Sequence, residues 1–341
     1  MTRTCTPTDV ITRQVARYAN TCLSCRMSGG VRLLLQLTVG RRKLVIGVIV
    51  YVITCYTVMY RTLPRYLSRD IQPPLTSVFI RAPSSGHVSR RTIIAIGGGI
   101  TSRRLSALNE SNVGEKFVFF TSLLPSFCNT TSSQFSYAFY LAYDYTDRVF
   151  SNDRLYAAFV EAFWSEIDRL CPENITAALR LVNCSHSGKP AWAQNDAMME
   201  AYLDNADYFY RINDDSEMLT SRWAEMFVAA LDSYDPLRVG VVGPKHRGGN
   251  AGILTYDFVH KTHIDIFGFY YPRPFTDWFG DGWITRVYRP DRCTKLSEVR
   301  LKHTLRLGKR YQVNQSARRL LQPTVDQDKL ILDRSAVGSD Y

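Results

Sequence analysis

The sequence predicts an α/β fold, a mostly parallel sheet with helices on both faces, preceded by one transmembrane helix. Three observations point there. An uncharged apolar run occupies residues 44–60. From Lys116 onward, short apolar stretches alternate with segments of helical spacing. One of those stretches ends abruptly in two adjacent carboxylates, Asp214 and Asp215. The 341 residues suffice for one sizeable domain and an anchor, since single cores rarely grow beyond about 250–300 residues.

The apolar run reads LVIGVIVYVITCYTVMY. Its 17 residues stand at the short end of the roughly 17–25 that cross a bilayer. Eight basic residues precede it, and only Arg61 and Arg65 follow closely. That bias keeps residues 1–43 cytoplasmic and sends the C-terminal part to the lumen, a single-pass type II arrangement. Because the run begins so far from the N-terminus, an uncleaved anchor is favoured over a signal peptide. The formal net charge of +11 follows the same division. Residues 1–65 hold ten Lys or Arg and one acid, Asp9, while the rest of the chain holds 32 basic and 30 acidic residues. The excess therefore belongs to the membrane side, which argues against a nucleic-acid partner. A composition of 45% hydrophobic and 21% charged residues excludes a disordered class.

All five Asn-X-Ser/Thr triplets, at Asn109, Asn129, Asn174, Asn183 and Asn314, follow the run. Their placement agrees with a lumenal domain. Four cysteines lie on that side, Cys128, Cys171, Cys184 and Cys293. They allow three pairings in an oxidising compartment, and Cys171 with Cys184, which flank one strand, is the first expectation. Cys5, Cys22 and Cys25 are expected as cytoplasmic free thiols.

Residues 61–115 read as a stem. They contain Pro64, Pro73, Pro74 and Pro83, a stray strand candidate at 92–96, and a Gly97, Gly98, Gly99 run. With no Lys-Ser/Thr following it, the run reads as a loop rather than a phosphate cradle. The folded domain is assigned to 116–320, with a tail at 321–341. Within the domain, strands are expected at 117–124, 137–143, 178–182, 207–212 and 239–242. Helices are expected at 153–170, where Leu155, Phe159, Phe163 and Ile167 share a face, and at 194–203 and 220–231. Alternation of this kind implies parallel strands covered on both sides. Ligands of such sheets bind beyond the strands' carboxyl ends.

That is where DYFYRINDDSEM, residues 207–218, delivers Asn213, Asp214 and Asp215. Adjacent carboxylates repel one another unless a cation or donors compensate. Mg²⁺ and Mn²⁺ take such hard oxygen ligands and keep positions open for phosphate. The bland alternative is a solvated loop or a cap on the helix that follows.

The stretch KPAWAQNDAMMEAYLDNADYFYRINDDSE, residues 189–217, resembles the region before and through the DxD motif of GT-A nucleotide-sugar glycosyltransferases. The likeness extends at fold-and-motif level over about 117–290. It implies a GT-A-like (Rossmann-like) catalytic domain using Mn²⁺ or Mg²⁺ and a nucleotide-sugar donor. By position Asp215 is the acid that binds the metal directly. Asn213 stands where the first acid is usual, with Asp214 placed to share its role. The resemblance also implies nucleotide contacts at Asp144 and Asp147, which otherwise form an ordinary turn. It implies a late metal ligand, His303, within a basic segment, 286–319, that holds eleven Lys or Arg against two acids; the alternative there is a solvated basic surface. In inverting members an acid placed like Asp281 deprotonates the acceptor hydroxyl, with Asp277 as competitor. Burial would raise its pKa toward that of a working base.

Phe275, Trp278, Phe279 and Trp283 are aromatic candidates for stacking on sugars. Gly248, Gly249 and Gly252 suggest a flexible loop near a ligand. His260, His263 and Asp265 have a metal-like spacing but read as polar acceptor-side groups or satisfied helix positions. The expected function is sugar transfer from a nucleotide diphosphate to a glycan or glycoprotein acceptor, with inversion, in the Golgi (or ER) membrane. The rivals are a non-catalytic nucleotide-sugar or glycan-binding protein on the same fold, and a tethered protein whose basic C-terminal stretch binds acidic glycans or lipids.

Overall fold

The computed structural model describes residues 79–81, 90–247, 250–303 and 314–337. The chain divides into two units, Met1–Thr76 and Ser77–Tyr341, and every described residue belongs to the second. The expected cytoplasmic tail, the anchor at 44–60, Cys5, Cys22, Cys25, Gly248 and Gly249 lie outside the described residues. Among the described residues no helix is long and apolar enough to cross a membrane.

Nine strands form one sheet. In chain order they are β1 (Phe79–Arg81), β2 (Ile93–Gly99), β3 (Ser136–Asp144), β4 (Thr176–Cys184), β5 (Tyr208–Arg211), β6 (Ser216–Met218), β7 (Val241–Arg247), β8 (Asp257–His260) and β9 (Cys293–His303). Their spatial order is β1-β4-β3-β2-β5-β8-β7-β9-β6. The run β4-β3-β2-β5 is parallel, and so is β7 with β9. The other pairings are antiparallel. The sheet is therefore mixed, not mostly parallel. The reason is local: β7 runs into β8 through a connection with no described helix, and strands joined without a crossover pair antiparallel. Alternate residues of β2 and β3 point to opposite faces. Ile94, Ile96, Phe139 and Leu141 enter one core and Ala95, Ala138, Tyr140 and Ala142 the other.

Strand β2 corrects the stem assignment of residues 61–115, because it lies at the centre of the sheet between β3 and β5. The three glycines are its end rather than a loop. A Cβ on Gly97 would stand 2.0 Å from the Tyr140 carbonyl oxygen, and one on Gly98 2.7 Å from that of Ile212. Glycine there lets strand β2 meet its neighbours at a distance no side chain permits. Gly97→Ala is expected to cost about 3 kcal/mol by overpacking. Equilibrium urea unfolding checks this, and an unchanged midpoint would contradict it.

Residues 117–124 form helix, not strand. They run from α1 (Val113–Lys116) through a π-helical turn (Phe119–Leu123) into α2 (Leu124–Thr130). Periodicity cannot separate a buried helix from a buried strand in so short an apolar run. What decides is the aromatic packing: Phe119 lies against Phe139 of the sheet and Phe159 and Phe163 of the next helix. That helix, α3 (Asp153–Leu170), has the bounds its spacing predicts. The Asn152 side chain caps it by accepting from the Arg154 and Leu155 amides, and Phe159, Phe163 and Ile167 are buried.

Helix α4 (Pro190–Leu203) buries Ala191, Ala193, Ala197 and Ala201. These small side chains let it lie close over β2 and β3. Helices α5 (Trp223–Asp232), α6 (Thr262–Phe267) and α7 (Gly280–Val287) complete the layers. Residues 321–337 are not a tail. They form α8 (Leu321–Val337), whose Leu321, Val325 and Leu332 are buried in the second core, and Asp328 accepts from the Trp283 indole at 2.9 Å.

The disulfide also departs from expectation. Cys128 of α2 bonds Cys171 at the end of α3. Cys184 and Cys293 are free thiols. Cys171 stands before β4 and Cys184 is its last residue, and the nine residues of the strand span roughly 30 Å at about 3.3 Å each. No disulfide reaches that far. All five sequon asparagines are exposed.

Candidate active site

The carboxyl ends of the parallel strands carry the chemistry. Strand β5 ends at Arg211, and Ile212 to Asp215 lead into β6. Strand β6 pairs with β9 so that Ser216 opposes His303. That register brings His303 Nε2 to 3.0 Å from Asp215 Oδ1. Residues 88 positions apart in the chain thus share one site because the three-residue strand β6 pairs with the last three residues of β9. Asp214 and Asp215 are 3% and 5% exposed, so neither belongs to a solvated loop. Buried carboxylates are costly unless charge or donors compensate them. The Nδ1 of His303 is buried and has no hydrogen-bond partner among the described residues. A carboxylate with an imidazole is a donor set that suits Mn²⁺ better than Mg²⁺, which prefers oxygen alone.

Behind this corner lies a network the sequence does not announce. Asp257, at the start of β8, is fully buried. It accepts from the Tyr270 and Tyr271 hydroxyls at 2.5 Å each and faces Arg211 Nε at 3.6 Å. Burial pushes its carboxyl up to about 6, against the opposing pull of Arg211 and the two phenols. Arg211 donates to the Tyr271 hydroxyl at 3.0 Å and to Asn213 Oδ1 at 3.1 Å. Since Asp257 already balances the guanidinium, the neutral acceptor at 213 completes the fork without a second negative charge. Asn195 of α4 accepts from the Tyr270 and Tyr271 amides and so fixes those phenols.

Asp281 opens α7 and joins the same corner. Its Oδ1 accepts from the Gly282 amide at 2.8 Å. Burial raises its pKa, opposed by the charge of Arg211. The charges of Asp215 and Asp281 both act on the buried Tyr256 phenol. The rings of His246 and His303 meet Tyr256 edge-on, with centroids at 5.2 and 6.0 Å. Sequence reasoning missed Tyr256, His246 and Asp257. The only available signal was the polar residues interrupting the apolar segments of 241–260.

Asp144 ends β3, and its Oδ2 accepts from Arg103 (3.1 Å), Ser187 (3.2 Å) and the Gly188 amide (2.9 Å). Asp147 accepts from Thr101, from the Ser102 amide and hydroxyl, and from the Val149 amide. Three of those bonds, made by both oxygens, tie the turn after β3 to the segment after β2, and the fourth closes the turn itself. Asp277 is likewise engaged, by the Trp278 and Asn314 amides. Of the aromatic candidates, Phe275 and Trp283 are buried in the core and Trp278 is half exposed. The first two therefore cannot stack on a sugar. His263 has both ring nitrogens occupied, by the Tyr288 hydroxyl and the Tyr270 carbonyl. Asp265 accepts from Tyr202, so His260, His263 and Asp265 form no common ligand set. A groove between α1 and α3, lined by Glu115, Glu161 and Glu166, contains none of these residues.

No family profile and no curated protein matches this chain. Among solved structures it is similar to S. aureus TarS, at 13% identity and a TM-score of 0.43, covering 69% of this chain and 39% of that one. It is also similar to a putative nucleotide-diphospho-sugar transferase from Desulfovibrio desulfuricans G20, at 11% identity and a TM-score of 0.34, covering 70% of this chain and 97% of that one.

Proposed function

We propose that the chain is a metal-dependent glycosyltransferase of the GT-A kind. The reading rests above all on the burial of Asp214 and Asp215 beside His303 at the end of a parallel strand. Asp215 and His303 are the ligands. A divalent cation held there supplies the positive charge that a diphosphate leaving group needs. Asp144, held in place by Arg103, Ser187 and the Gly188 amide, serves the nucleotide side, and Asn213 is oriented by Arg211. Asp281 is the base. As the acceptor oxygen bonds to the anomeric carbon and the bond from that carbon to the diphosphate oxygen breaks, the hydroxyl proton passes to the Asp281 carboxylate. One displacement of this kind inverts the anomeric centre.

A screen of nucleotide sugars against the full chain, with and without EDTA, tests the assignment. Transfer that survives chelation would remove the metal role. Nucleotide binding without any transfer would favour a binding protein on the same fold. Asp281→Asn is expected to lower kcat/KM by about 10²–10⁴. The sign of the pH effect follows from the raised pKa. The base works only when ionised, so the acidic limb of kcat/KM lies above the ordinary carboxylate range near 4 and disappears in the variant. A limb unchanged by Asp281→Asn at saturating Mn²⁺ would exclude Asp281.

The proposal includes a type II anchor at 44–60 in the Golgi (or ER) membrane. The basic arm, the exposed sequons and the Cys128–Cys171 bridge support it. In sealed vesicles the C-terminal domain is expected to resist protease, and its digestion there would reverse the orientation.

A further inference from the structure

A second cluster of ligating groups lies apart from Asp215. Cys184 ends β4, His186 follows in the loop to α4, and Asp196 stands on α4. Their donor atoms all lie within 4.8 Å of one another. His186 Nε2 is 3.0 Å from Asp196 Oδ2. The imidazole is only 9% exposed, yet its Nδ1 is buried with no hydrogen-bond partner among the described residues. The nitrogen beside Asp196 is Nε2, so Nε2 is the one placed to share a cation with that carboxylate. Asp196 is 26% exposed and gives the cluster an opening to solvent.

We propose that Cys184, His186 and Asp196 form a binding site for a divalent cation of the Zn²⁺ class. Sulfur, nitrogen and oxygen together select zinc over the hard cations expected at Asp215. Three protein ligands leave a fourth position for water, reached past Asp196. Zinc–donor bonds of about 2.0–2.3 Å place any two donors within about 4.6 Å, so rotamer adjustments close the site. On binding, the Cys184 thiol releases its proton to solvent and the thiolate bonds the metal. The ion would clamp the 185–189 loop to α4. Gly188 and Ser187 of that loop are donors to Asp144, so zinc here would order the groups beside the proposed nucleotide pocket without entering it. The site stands independently of the transferase reading.

The test uses the full chain, stripped with chelator and titrated with Co²⁺ and then Zn²⁺. The expected result is a thiolate-to-cobalt charge-transfer band that saturates at one cobalt per Cys184 and that zinc displaces; cobalt held at Asp215 and His303 adds nothing to it, because that pair has no thiolate. Cys184→Ser and His186→Gln each abolish the band, and Asp215→Asn leaves it intact. Absence of a band in the wild type, or a band that survives Cys184→Ser, overturns the proposal. Because either variant could fail to fold, zinc X-ray absorption on the wild type provides the second measurement. One sulfur in the first shell supports the site, and none, or two or more, overturns it.

Discussion

Asp215→Asn is expected to lower kcat/KM by about 10³-fold or more while leaving the fold intact. The substitution keeps the side chain's shape and removes its charge. Lewis-acid stabilisation of a leaving group is worth several kcal/mol, and each 1.36 kcal/mol is tenfold in rate. The structural cost should be small, because asparagine relieves the repulsion between two buried neighbours, Asp214 and Asp215. The decisive comparison is the dependence of rate on Mn²⁺. The variant should need far more metal than the wild type, and His303→Gln should shift the requirement in the same direction, since His303 Nε2 stands 3.0 Å from the lost charge. A variant that turns over within threefold of wild type at the same Mn²⁺ concentration would dismantle the metal assignment. It would also dismantle the function built on it.

The corner around Asp215 was only half legible in the sequence, and the physics explains which half. An apolar strand that stops in adjacent acids announces itself locally, so residues 207–215 were readable. His303 could be reached only through the resemblance, because its nearness to Asp215 is set by the β6–β9 register, a long-range pairing no local pattern encodes. Asp257, Tyr256 and His246 escaped for a related reason. They come from β7, β8 and the connection between them, where the antiparallel turn-back broke the expected parallel alternation. The glycines of β2 misled in the opposite sense. A Gly-Gly-Gly run reads as a loop, whereas here it is the requirement of a central strand crowded by the Tyr140 and Ile212 carbonyls. The helix 153–170 was legible because its amphipathic stripe is local. Cys128 and Cys171 were individually visible, but their pairing depends on α2 lying beside the end of α3.

Asp257→Ala is the substitution expected to cost most stability, about 3–5 kcal/mol near neutral pH. It would leave Arg211, 4% exposed, as an uncompensated buried charge, the circumstance in which breaking an ion pair is most destabilising. It would also strip two buried phenols of their acceptor. The pH dependence of the wild type has a definite sign. The Asp257 carboxyl rises on folding from 3.8 to about 6, so between those values the folded protein holds the proton more tightly than the unfolded chain. Its contribution to stability is therefore fully present below about 4 and declines as pH rises to about 6. Urea unfolding of wild type and variant across that range reads both effects. The informative control is Arg211→Met with Asp257→Leu, which removes both charges. Hydrophobic replacement of a buried pair is often neutral or stabilising, so this double variant should recover most of the lost stability. It should not recover turnover, because Asn213 would lose the guanidinium that orients it and Asp281 the positive charge that opposes its burial. Recovery of both stability and activity would show that the Arg211–Asp257 pair merely fills space. Recovery of stability alone assigns it to positioning, a buried charge kept for the geometry of the strand end it supports.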